Sequence, residues 1–69
     1  MMTLKLKKEL FDLSDLKIAI ADYHKIAEIH IESSSDYWLC YFDQCAYDMK
    51  QTMYEFENYI IDLMNCKNT

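Results

Sequence analysis

Three cysteines, two histidines and twelve carboxylates are the side chains here best suited to ligating a metal, attacking an electrophile or moving a proton. Zinc and related ions need several such donors at short, characteristic spacings. Cys40-x4-Cys45, a distant Cys66, His24 and His30 match none of them, so no metal is expected. Cys40 falls on the apolar side of an alternating run and reads as a small hydrophobe. Cys45 lies near the start of a predicted helix, a position that can activate a thiol, yet no base stands beside it. His30 sits between Glu28 and Glu32, with the three side chains on one strand face about 7 Å apart, and reads as solvated. No Ser-His-Asp spacing occurs, and a chain with no glycine has no glycine-rich phosphate loop. The expectation is a protein without catalytic residues or cofactor, not an enzyme.

Size and charge narrow the function further. A chain of 69 residues makes one domain, residues 1–69, with little room for a substrate pocket. Seven lysines, no arginine and twelve acids give a net charge of −5. Lys5, Lys7 and Lys8 precede the first acid, so the charge is basic at the start and strongly acidic after it. Phosphate backbones repel such a body, and no arginine exists for bidentate base readout, so nucleic acid is not an expected partner. No run approaches the roughly 20 apolar residues of a membrane span. An odd cysteine count and the lack of a signal-peptide core point to thiols in a reducing cytoplasm.

The elements that must position these groups follow from periodicity. Thr3–Lys7 alternates with Leu4 and Leu6 on one face, which predicts a strand. Asp12 is placed to cap a helix over 13–27, with Asp15 in its first turn. Leu13, Leu16, Ile20, Tyr23 and Ala27 form its apolar stripe, widened by Ile18 and Ile26. Residues 28–42 read as a hairpin turning at Ser33–Asp36, with Ile31 opposite Trp38 and Ile29 opposite Cys40. Met49, Met53, Phe56, Ile60 and Leu63 predict a second helix over 46–65, its stripe being core rather than a cofactor or peptide groove.

The connection rules give a β-α-β-β-α, α+β two-layer sandwich. Its three-stranded sheet has order 1-3-2, with both helices on the face of Ile29, Ile31, Trp38, Cys40 and Phe42. That arrangement is a truncated ferredoxin-like sandwich lacking its last strand. The outer edge of the first strand, at Leu4 and Leu6, is left open to strand addition. The second sheet face, carrying Tyr37, Leu39 and Tyr41 beside Glu28, His30 and Glu32, is left bare. Tyrosines there combine apolar area with a polar tip, as interfaces favour. Leu4, Leu6, Tyr37, Leu39 and Tyr41 are therefore the expected partner-binding residues.

Leu13-x2-Leu16-x2-Ala19-x3-Tyr23, then Ile29-x-Ile31, then Phe56-x-Asn58-x-Ile60-Ile61-Asp62 resemble the small HxsD-like proteins of His-Xaa-Ser ribosomal-peptide modification systems. The resemblance covers about residues 12–64. It implies a non-catalytic accessory of peptide maturation that holds a precursor peptide or docks to a radical-SAM maturase, and it transfers no catalytic residue. Two other readings compete with it. One is an acidic, phage-type inhibitor that mimics nucleic acid, and the other a structural homodimer closing across the open edge or face.

Overall fold

Alternation of apolar and polar residues decides the three strands, and the computed structural model, which describes residues 2–66, contains all of them. The order is β1 (Met2–Lys7), α1 (Leu13–Asp22), β2 (Ala27–Ser33), β3 (Tyr37–Cys45) and α2 (Met49–Cys66). The sheet order is β1-β3-β2, with β3 antiparallel to both neighbours. β1 and β2 therefore run in the same direction, as the intervening helix requires. Leu6, Ile29, Cys40 and Phe42 from the sheet meet Leu16 and Ala19 of α1 and Phe56 and Ile60 of α2 in one buried core. Both helices thus cover one face.

The hairpin is shifted by two residues from the predicted pairing. Ile31 faces Cys40 and Ile29 faces Phe42. The cause is the turn. Ser34 N–H donates to Tyr37 O (2.9 Å), and Tyr37 N–H donates to Ser34 Oγ (3.2 Å), so Ser35 and Asp36 form its centre rather than Ser34 and Ser35. A shift of two preserves side-chain parity, and each strand keeps its expected faces. β3 also carries one extra residue, because Ile29 pairs with Phe42 while Glu28 pairs with Gln44. That bulge at Asp43 lets Cys45 join Ala27 on the core side, three residues after Phe42 instead of two or four.

The helices are shorter than their stripes suggest. α1 stops at Asp22, where Tyr23 N–H caps back to Ala19, and the N–H groups of Ile26 and Ala27 both donate to Tyr23 O at 2.8 Å. Ala27, predicted as the end of the helix, instead opens β2, since it continues the Ala27-Ile29-Ile31 alternation that faces the core. Ile18, predicted to widen the stripe, is 47% exposed because α1 buries Asp15, Leu16 and Ala19 instead.

Caps explain the helix starts. Asp12 occupies the N-cap of α1, yet its side chain makes no capping hydrogen bond, contrary to expectation. At α2 the cap is Asp48, whose Oδ2 accepts from Gln51 N–H at 2.9 Å, and the helix begins at 49 rather than 46. Thr52, buried one turn in, has its hydroxyl satisfied by Asp48 O at 2.8 Å. Asp48→Ala should therefore cost about 1 kcal/mol in urea unfolding, and Asp12→Ala only a few tenths. Equal losses would show that the two caps are alike.

Candidate binding face

β3 is the central strand, so its outward side chains set the character of the bare face. Tyr37, Leu39 and Tyr41 are half-buried, and Leu39 takes no part in the core. Pairing places them in transverse rows. Thr3, Tyr41 and His30 form one row, and Lys5, Leu39 and Glu32 the next, with Lys7 beside Tyr37 beyond them. The result is an apolar ridge along β3 with lysines on the β1 flank and acids on the β2 flank.

Local contacts tie this ridge to both flanks. Lys5 Nζ lies 5.7 Å from the centre of the Tyr37 ring, a cation–π contact. Tyr41 Oη donates to Glu32 Oε2 at 3.4 Å. Burial, and then the charge and hydrogen bond of Glu32, raise the Tyr41 phenol above its ordinary range, so it remains a neutral donor. Trp38 turns the other way, as expected. Its Nε1–H donates to Phe11 O at 3.0 Å, and Lys8 Nζ sits 4.7 Å from its ring centre.

The expected edge residues divide differently. Leu6 is 1% exposed and Leu4 half-buried against the core, so what β1 offers a partner is main-chain hydrogen bonding and the lysines between them. β1 has a strand neighbour on one side only, and so does β2. The two sheet edges are therefore both open among the described residues.

Asp43 was invisible in the spacing. The bulge turns its carboxylate toward Glu28 and His30, and one donor atom from each of the three lies within 4.8 Å of the others. His30 Nε2 is 3.4 Å from Glu28 Oε1. All three side chains are exposed, and the carboxylates of Glu28 and Asp43 add negative charge to this flank of the face. Only the bulge brings Asp43 there, and a bulge leaves no mark in a single sequence. Around the corner, a hollow of about 480 Å³ opens between Ile20, Ile26, Ile29 and Cys45.

The thiols are differently placed from one another. No disulfide joins them. Cys40 is fully buried, Cys45 ends β3 rather than starting a helix, and Cys66 is exposed. No helix among the described residues is long and apolar enough to cross a membrane. Comparison with family models, with characterised proteins and with solved structures finds no match to the chain.

Proposed function

We propose that the chain is a small non-catalytic binding module that holds an extended peptide along β1, as an accessory of ribosomal-peptide maturation beside a radical-SAM maturase. The observation that carries this reading is the open β1 edge with Lys5 and Lys7 standing on its outer face. A strand added there gains main-chain hydrogen bonds, and its alternate side chains lie next to those lysines. The peptide that fits carries acidic residues at every second position and apolar ones between, beside Leu4 and Leu6. Lysines on an open edge discourage pairing with another basic strand and welcome an acidic one. The maturation role rests on the resemblance of the helix and hairpin residues to the HxsD-like proteins. Tyr37, Leu39 and Tyr41 serve a separate contact with a protein surface.

Fluorescence anisotropy with labelled precursor peptides of a His-Xaa-Ser system tests the proposal. Micromolar binding is expected, with amide shifts concentrated at 2–7. N-methylation of alternate peptide bonds in the ligand should weaken binding about tenfold or more by removing its ladder donors. Equal affinity for the methylated peptide, or shifts away from β1, would overturn the reading.

A further inference from the structure

The bare face has an apolar ridge and two flanks of opposite sign, and that combination limits what can cover it. Lys5 and Lys7 lie on β1, and Glu28 and Glu32 lie on β2, with Asp43 turned toward the same side. A uniformly acidic or uniformly basic surface would match one flank and oppose the other. A surface with the same split, reversed left to right, matches both. A second copy supplies that surface when it is turned about the right axis.

Three twofold axes are available to two such sheets. An axis across the strands lays β1 over β1 and sets lysine on lysine. An axis normal to the sheet pairs the copies edge to edge, and at β1 this brings the two lysine rows side by side. An axis parallel to β3, in the plane between two facing sheets, lays β1 of each copy over β2 of the other. It also keeps every row at its own level. Lys5 and Glu32 belong to one row, flanking Leu39, so Lys5 then stands opposite Glu32 of the partner subunit. Leu39 meets the partner's Leu39, and Tyr41 meets the partner's Tyr41. Aligned sheets with interdigitated side chains are a common packing.

We infer that this face packs against the same face of a second copy, about a twofold axis parallel to β3, with Lys5 of each subunit paired to Glu32 of the other. The main-chain edge of β1 stays open in such a pair, but Lys5 is shared with the peptide reading, so Glu32→Lys is the variant that tests the pairing without touching that edge. The face is about 14 Å wide and 20 Å long from ordinary strand spacings. That is small beside the roughly 800 Å² per partner of a standard interface, so association belongs in the micromolar range or weaker.

Sedimentation across a micromolar-to-millimolar series tests this. The wild-type chain is expected to dimerise and to dissociate as salt is raised, since the flanking pairs are exposed to solvent. Glu32→Lys and Lys5→Glu each replace two attractions by two repulsions and should weaken the dimer about tenfold. The double variant Lys5→Glu/Glu32→Lys restores both pairs in reverse and should recover the wild-type constant to within about threefold. A chain that stays monomeric throughout the series overturns the inference. So does a dimer indifferent to Glu32→Lys, which would place the contact away from Glu32. A dimer indifferent to salt overturns it without any variant. Peptide binding that persists in a monomeric chain separates the failure of this inference from failure of the edge reading.

Discussion

Replacing Phe56 by alanine is expected to abolish cooperative folding or leave the chain barely folded at room temperature. Phe56 is fully buried and joins three elements. Its ring meets Phe42 of β3 at 5.3 Å and 85°, and Tyr23 at the end of α1 at 5.3 Å and 81°. Tyr23 in turn lies 5.5 Å from Tyr59, whose hydroxyl donates to Asp22 Oδ2 at 2.5 Å and ties α2 back to α1. Edge-to-face rings at these distances contribute beyond their buried area. Truncating a buried Phe to Ala costs roughly 3–5 kcal/mol, since the surroundings collapse only partly into the cavity. A domain of this length has a total stability of roughly 3–10 kcal/mol. The loss is thus comparable with the whole. Circular dichroism during a urea titration should show a shallow, early transition for Phe56→Ala and a wild-type one for Tyr47→Ala, a residue that is 73% exposed. A Phe56→Ala midpoint close to wild type would mean that the aromatic cluster does not join the helices to the sheet.

Phe56 also shows what a sequence of this kind makes legible. Its place on an apolar stripe at helical spacing could be read from residue order alone, and so could the strand order, because alternation and short connections leave few ways to bury Leu6, Ile29, Cys40 and Phe42 together. Element ends were less legible. Ala27 fits both a helical stripe and a strand alternation, and only the backbone bonds from Ile26 and Ala27 to Tyr23 decide between them. Asp12 and Asp48 are the same residue type before two amphipathic runs, yet only Asp48 is oriented to accept a cap bond. The hairpin register lies two residues from the predicted pairing, and the face assignment is unchanged because the period of a strand is two. For the binding face, Tyr37, Leu39 and Tyr41 followed from that parity. The row joining Lys5, Leu39 and Glu32 needed the true register, which depends on one serine side chain in the turn. Asp43 needed the bulge.

Stability should fall as pH rises from about 9 to about 11, and Cys40 should be a principal cause. Cys40 is fully buried beneath both helices, and burial raises its thiol from the ordinary 9.0 to about 11. Below pH 9 the thiol is protonated whether the chain is folded or not, and the contribution is fully present. Between 9 and 11 the unfolded chain releases this proton while the folded chain retains it, so the unfolded state gains and stability declines with pH. Above 11 both states are ionised and the contribution is gone. A separation of this size corresponds to roughly 2–3 kcal/mol over the window. Tyr23 and Tyr41 are also raised, mainly by burial, and Tyr59 mainly by its bond to Asp22, but phenols in the unfolded chain ionise only from about pH 10. The thiol leads in the interval from 9 to 10, and comparison with Cys40→Ala removes what the phenols add there. Urea midpoints measured across it should decline for the wild-type chain and change much less for Cys40→Ala, which starts lower because of its small cavity. A thiol reagent at neutral pH gives a second reading. It should reach Cys40 only at the rate of unfolding, because the folded core presents a protonated and inaccessible sulfur. Parallel pH profiles for the two chains, or rapid labelling of Cys40, would show that this thiol does not lie in a closed core and would remove the packing on which the bare opposite face depends.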